Sequence, residues 1–491
     1  MIAVVALDLG TTTIKAGMLS QDGTLGSIVA RPAPAIVADG GRYESDALTY
    51  AQAADAVLAA CLAQPSDAGA GASHFLPQTA DFVDLSEVRP LLGLCSQRSS
   101  FLLWERASGK PVTPLISWQD DRGKESCAAL REHEGAICKL AGLPLTPYYL
   151  APKLRVLLRE HPKWRERLLS GEWLLGTLDT FLIWRWTGGE RYLTDVSMAA
   201  RTLLMDIHGR RWSPELCGLF DIPLQILPQI VPSAGLGVPL NNGLTLQASV
   251  GDQSAALVAS IASGQREALV NLGTGGFVAC YLPEGRVVPE GYLQTLVWQD
   301  DARRIYLAGE GTLNSIAAAL APYPADVCRV EDLASDDIFC LAEPSGLGAP
   351  YFGSGLGLVF SAPVEHLPAQ RIALLLQEGI VFRVARILED FQREFGIECA
   401  CLSGGLSSLR CLQQGIALCV PLAIYRLAQA ETSLVGAAQL AAGVPGAGSR
   451  GAEKIEVQRL RSGLPGKYAR WKVWLDGLLS KRPSGPGRQG V

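Results

Sequence analysis

Nowhere does this chain run through about 20 apolar residues in succession, the length a helix needs to cross a bilayer. The opening apolar run, Ile2 to Leu7, is too short for the hydrophobic region of a secretion signal, and it leads straight into a polar motif. Zinc-ligand spacing is also missing. The 12 cysteines are scattered, no CxxC pair occurs, and none lies near His residues at ligand spacing. Cys399 and Cys401 alternate with Ile397 along one strand face, as core thiols do, and a reducing compartment keeps such thiols unpaired. Strong charge of either sign is lacking too. A net charge of -5 supplies neither the basic footprint of a nucleic-acid binder nor attraction to an anionic membrane. Two common phosphate-binding signatures are absent. Gly109-Lys110 is followed by Pro111 and lacks the upstream glycine of a Walker A loop, and no GxGxxG follows a strand. These absences leave a globular chain expected in the cytoplasm, with no membrane and no nucleic-acid partner.

What is present is a short pattern that occurs twice. Leu7-Asp8-Leu9-Gly10-Thr11-Thr12-Thr13 stands between two apolar runs, and so does Val270-Asn271-Leu272-Gly273-Thr274-Gly275-Gly276 half a chain later. Each copy reads as strand, tight Gly/Thr turn, strand. Such a turn gathers backbone N–H groups and small hydroxyls toward one point, which suits a phosphate. At 491 residues the chain exceeds one hydrophobic core, so two related domains closing on a nucleotide are expected.

Strands are expected at Ile2–Leu7, Ile14–Ser20 and Leu25–Ala30, with Asp22-Gly23 as a turn, and at Val88–Cys95. Helical spacing marks Thr49–Gln64, Lys153–Glu160, Val381–Phe395 and Glu431–Ala442. Pro65–Ala80 is Ala/Gly/Ser-rich and reads as a surface loop. Pro223–Gly243 has no clear period, and its end places a domain boundary near residue 245. The expected division is therefore 1–245, 246–455 and a basic tail, 456–491. In that tail Trp471 and Trp474 anchor one amphipathic helix with a solvated face, and Pro483–Val491 has a disordered composition.

Asp8 ends an apolar strand just before its Gly turn. It is placed either to hold a hydrated Mg²⁺ against phosphate oxygens or to cap its own turn. Asp252, between Gly251 and the helix start Gln253-Ser254, is placed as an N-cap or as a general base for an attacking hydroxyl. One position serves both roles. Gln97-Arg98 and Trp118-Gln119-Asp120-Asp121-Arg122 follow buried strands. They read as a carbohydrate site, or more plainly as an Asp–Arg ion pair with a core Trp.

The ordered series of motifs resembles the FGGY carbohydrate kinases from residue 1 to about 450. The matching segments are LDLGTTTIK, Ser96-Gln97-Arg98, the W-x-D-x-R at Trp118–Arg122, Leu193-Thr194-Asp195 to Arg201-Thr202, GDQSAAL at Gly251, NLGTGG at Asn271, Gln377–Ile380 and SGGLSS at Ser403. Glu431-Thr432-Ser433 with Gly436-Ala437-Ala438 completes the adenosine segment. The resemblance implies an α/β actin-like ATPase fold, with two duplicated RNase H-like domains about a central cleft. It implies ATP and Mg²⁺ as cofactors, a small sugar or polyol as substrate, and Asp252 as catalytic base. Gln97, Arg98, Trp118, Tyr148, Asp252 and Gln253 would face substrate. Asp8, Gly10, Thr11, Thr12, Thr13, Lys15, Gly273, Thr274, Gly275, Gly404 and Gly405 would face the nucleotide, with Asp8 on the metal through water. A homodimer is the expected oligomer.

Within the family the chain looks most like glycerol kinases, with one departure. Where they follow the Arg with a Glu that binds glycerol hydroxyls, Ser99 stands here. That favours a larger polyol or a ketose. Glycerol kinase proper and an inactive actin-like nucleotide switch are the alternatives.

Overall fold

The computed structural model describes residues 3–20, 23–64, 89–352, 356–427, 431–446, 452–457 and 463–480. Ile2, Asp22 and the loop Pro65–Ala80, like the tail Pro483–Val491, lie outside these. The chain forms two compact units. One comprises Met1–Ala259, Leu296–Tyr306 and Glu431–Gly446; the other comprises Ser260–Thr295, Leu307–Ala430 and Ala447–Val491.

The first unit is built on a six-stranded sheet in the order Ala234–Pro239, Thr245–Gly251, Leu91–Ser96, Val4–Leu9, Thr13–Leu19 and Leu25–Pro32. Its first three strands in sequence form the expected meander. Three neighbours, Thr245–Gly251, Leu91–Ser96 and Val4–Leu9, run parallel, and Leu9, Ser96 and Gly251 stand in one register row at their carboxyl ends. Val4–Leu9 and Leu91–Ser96 are almost wholly apolar up to that row, as parallel strands covered on both faces are, while Thr245–Gly251 alternates polar and apolar residues before its buried end. The helix Thr432–Ala442 packs on this sheet through its small residues. A Cβ on Gly93 would meet the Ala437 carbonyl oxygen at 2.1 Å, and one on Gly436 would meet that of Ala255 at 1.8 Å. Both glycines are there because backbone passes over backbone.

The second unit repeats the theme. Its sheet includes, in order, Ile305–Leu313, Gly276–Tyr281, Glu267–Leu272, Cys399–Ser403 and Ala423–Arg426. Glu267–Leu272 pairs antiparallel with Gly276–Tyr281 across the second hairpin and parallel with Cys399–Ser403. The core below it takes in the helices Ala369–Phe395, Arg410–Cys419 and Leu464–Ser480.

Three expectations change. A boundary at 245 would fall at the start of the strand Thr245–Gly251 and sever it from its sheet; the first unit continues to Ala259. The tail is not a solvated appendage. Its helix buries Leu464, Tyr468, Trp471 and Leu475 in the second unit's core. The long helix begins at Ala369, directly after Pro368, and runs through Gly379, where a Cβ would meet the Cys340 carbonyl oxygen at 2.9 Å. That glycine marks a close approach rather than a break.

Candidate active site

The register row brings three chain segments to one edge of the first unit's sheet. Asp8 precedes Leu9, Gln97-Arg98 follow Ser96, and Asp252 follows Gly251. Carboxyl ends of parallel strands are where open α/β sheets present ligands, because the loops there diverge and helix N-termini point at the gap.

Asp252 opens the helix Asp252–Ser260, and its Oδ1 accepts from the Gln253 backbone N–H at 2.7 Å. Arg98 Nε lies 3.5 Å from the same oxygen, and the Arg98 guanidinium also donates to Gln253 Oε1. Burial raises the Asp252 carboxyl above its ordinary pKa. Arg98 is the largest opposing influence, and Arg201 adds to it. A Cβ on Gly251 would meet Arg98 Cδ at 2.7 Å, so glycine is what lets the arginine lie across the strand end.

Asp8 is more strongly shifted. Burial first, and then the charge of Asp252, push its pKa up to about 7. Its Oδ1 is enclosed and has no hydrogen-bond partner. An orphaned carboxylate oxygen beside a second carboxylate is a donor set that a hard divalent cation fits. Among the described residues no group of three His, Cys, Asp or Glu is disposed to hold a metal ion. A cation here would keep most of its ligands as water or phosphate oxygens.

The first hairpin is braced from behind. Tyr50 donates to the Gly10 carbonyl at 2.7 Å, and Gln97 N donates to Leu9 O at 3.0 Å. The Gln97 side chain is almost fully buried. Its Oε1 accepts from Ser100 Oγ at 2.8 Å and from Thr11 Oγ1 at 3.4 Å, while its Nε2 lies 3.4 Å from both Gly10 O and Tyr50 Oη. Gln97 therefore shapes the turn rather than presenting a free amide. Lys15 is paired with Glu431 at 2.6 Å.

Trp118 is not a core residue. It is 36% exposed, its Nε1 donates to Thr11 Oγ1 at 3.0 Å, and its ring lies 6.0 Å from that of the exposed Tyr148. Asp120 and Arg122 are the plain ion pair: Asp120 is fully buried and accepts from Arg122 Nε at 2.7 Å and from the Tyr43 backbone N–H at 2.8 Å. Ser99 is buried with its hydroxyl donated to Arg201 O at 2.7 Å.

In the second unit the other hairpin closes on itself through Gly273 N to Gly275 O, 2.8 Å. Asn271 Nδ2 donates to Ser403 Oγ at 3.0 Å, and a Cβ on Gly404 would meet Leu272 O at 2.4 Å. Gly273, Thr274 and Gly275 thus share one end of that sheet with Gly404 and Gly405. Glu431 and the helix Thr432–Ala442 belong to the first unit. Asn314 is held by its N–H to Glu343 at 2.9 Å and its Nδ2 to Gly346 O at 2.9 Å.

No site role for Tyr50, Ser100, Lys153 or Arg201 is legible in the sequence. A Tyr inside an Ala/Leu-rich helix carries no local signal that its hydroxyl braces a glycine turn 40 residues away.

Comparison with known proteins bears on family and fold. The N-terminal domain model of the FGGY family of carbohydrate kinases matches residues 3–269, and the C-terminal domain model matches 291–443. A glycerol kinase of Rhodopirellula baltica is 30% identical over 461 residues, 89% of this chain and 82% of that protein. A glycerol kinase of Alkalilimnicola ehrlichii is 34% identical over 376 residues, 72% of this chain and 75% of that protein. The crystal structure of Plasmodium falciparum glycerol kinase with ADP superposes with a TM-score of 0.80 at 19% identity, covering 99% of each chain. That of xylulose kinase from Rhodospirillum rubrum gives 0.75 at 18%, covering 98% of this chain and all of the other. The fold is the α/β actin-like ATPase fold, carried by two domains of one type. The chain belongs to the FGGY family of carbohydrate kinases and is an ATP-dependent phosphotransferase with an alcohol group as acceptor. Among the described residues no helix is long and apolar enough to cross a membrane.

Proposed function

We propose that this kinase transfers the γ-phosphate of ATP to a hydroxyl of a polyol or ketose larger than glycerol, with Asp252 as general base. The observation that carries the base assignment is Asp252 at a helix N-terminus, oriented by its own Gln253 N–H and by Arg98. The acceptor hydroxyl gives its proton to the Asp252 carboxylate as its own oxygen forms the bond to phosphorus and the β–γ bridge bond breaks. Arg98 and Gln253 hold the carboxylate and acceptor in place. Trp118 and Tyr148 offer ring faces to the C–H surface of the acceptor.

Gly10, Thr11, Thr12, Thr13 and Lys15 in the first unit, and Gly273, Thr274, Gly275, Gly404 and Gly405 in the second, are assigned to the nucleotide. Lys15 would exchange Glu431 for phosphate oxygens. Mg²⁺ would be held through water by Asp8, where it would neutralise phosphate charge.

Ser99 supports an acceptor other than glycerol. It offers no carboxylate, and its hydroxyl is spent on Arg201 O. The test is an ATP-consumption screen with Mg²⁺ against glycerol, tetritols, pentitols, ketopentoses and ketoheptoses. One strong hit among the larger acceptors is expected. Glycerol as the preferred acceptor would overturn the Ser99 argument, and no hit at all would overturn the kinase assignment to this substrate class.

A further inference from the structure

Lys153 is buried completely, in the first turn of the helix Leu150–Glu160. Among the described residues no carboxylate lies within ion-pair distance of it. Its Nζ instead donates to the backbone carbonyl of Ser117 at 2.8 Å and reaches that of Ser99 at 3.5 Å. The charge nearest in kind, Asp120, is committed to Arg122 and to the Tyr43 N–H. Burial lowers the Lys153 pKa to about 7, so the amine sits where its charged form gains little.

The two carbonyls are not arbitrary core groups. Ser99 follows Arg98 directly, and Ser117 precedes Trp118 directly. Ser99 also has φ +64°, a left-handed conformation unusual for a residue with a Cβ. That turn is what swings the chain away after Arg98, leaving the arginine across Gly251 and toward Asp252. A left-handed residue persists only when its surroundings over-determine it. Here the surroundings are Lys153 Nζ on the Ser99 carbonyl and the Arg201 carbonyl on the Ser99 hydroxyl. A third tie, Trp118 N to Ser100 Oγ at 3.0 Å, joins the same two segments.

We infer that Lys153, acting with the left-handed Ser99, is a positioning residue that fixes the Arg98 and Trp118 segments against each other for the acceptor. The inference rests on the acceptor site proposed above. It implies that Lys153 governs binding of the sugar or polyol and not of the nucleotide, although Lys153 touches neither.

The test compares wild type with K153M and S99G in steady-state kinetics, with the acceptor and ATP varied separately. K153M keeps the length and apolar stem of the side chain and removes the donors. Its acceptor KM is expected to rise about tenfold, with ATP KM within twofold of wild type. S99G relieves the backbone outlier, removes the hydroxyl bond to the Arg201 carbonyl and frees Arg98 to move. Its acceptor KM is expected to rise several-fold with ATP KM within twofold of wild type, a split that a merely structural role would not give. If K153M does not fold, S99G alone decides. An acceptor KM within twofold of wild type in the folded variants, or equal increases in both KM values, would overturn the inference while leaving the kinase reading intact. A wild-type enzyme inactive toward every acceptor would remove both.

Discussion

Arg98 Nε stands 3.5 Å from Asp252 Oδ1, and the same guanidinium is tied to Gln253, so a positive charge is fixed against the proposed base from the strand end beside it. Burial raises the Asp252 pKa and Arg98 is the first influence that lowers it. Only the ionised carboxylate accepts a proton, so activity is lost as pH falls through the Asp252 pKa. Removing the arginine charge raises that pKa further. R98Q is therefore expected to move the acid limb of the kcat/KM profile to higher pH, besides raising the acceptor KM. The check is a pH–rate profile of both enzymes from pH 4.5 to 9. An acid limb that stays in place would show that Arg98 does not act on the titrating group.

Asp252 itself gives a sharper expectation. D252N preserves shape and the acceptor for the Gln253 N–H but cannot take a proton. Phosphorylation is expected to fall by about 100- to 10,000-fold, with ADP affinity measured by calorimetry within a few-fold of wild type. Activity within a few-fold of wild type would remove Asp252 as the base.

Asp8 allows a test that needs no turnover. With its pKa pushed to about 7, it carries a proton for a large share of molecules near neutrality. A divalent cation favours the ionised form, so loading MgADP at pH 7 is expected to release protons, and chelating the metal to reverse this. Titration calorimetry in buffers of different ionisation enthalpy measures the release directly. D8N should abolish most of it, while removal of Mg²⁺ should abolish phosphoryl transfer by the wild-type enzyme. Proton release unchanged in D8N would place the metal elsewhere.

Both glycine hairpins, the strand ends at Asp8 and Asp252, and the resemblance they carried were legible because each is local: an apolar run meeting a polar turn. The plain Asp120–Arg122 pair was legible for the same reason. What was hidden depends on pairing across long separations. Tyr50 on Gly10, Lys153 on Ser117 and Gln97 on Gly10 are hydrogen bonds between distant segments, and no periodicity encodes them. The boundary near 245 misled because a Pro/Gly-rich stretch resembles a linker even when it feeds an edge strand. In the helix Thr432–Ala442 the small residues carry a packing role that no periodicity announces, since Gly436 and Ala437 meet backbone at Ala255 and Gly93.

The C-terminal helix supplies the last expectation. Lys467 is fully buried, with its Nζ 2.9 Å from Asp336 Oδ1 and bonded to Glu378 of the long helix. Glu378 is almost as deep and accepts from the Ala334 N–H at 2.7 Å. Asp336 keeps a second partner in Arg371, so the residue that loses most on removal of Lys467 is Glu378. An uncompensated buried carboxylate typically costs about 3–5 kcal/mol, and burial already raises the Glu378 pKa against the influence of Lys467. K467M is expected to destabilise by that order in urea unfolding. The double variant K467M/E378Q, in which the neutral amide needs no counter-charge, should recover a large part of the loss. The single-variant defect should also shrink as pH falls, because protonating Glu378 removes the stranded charge. Equal stability of the single and double variants would mean that packing around Trp471 and Tyr468, and not the ion pair, secures this helix to the core.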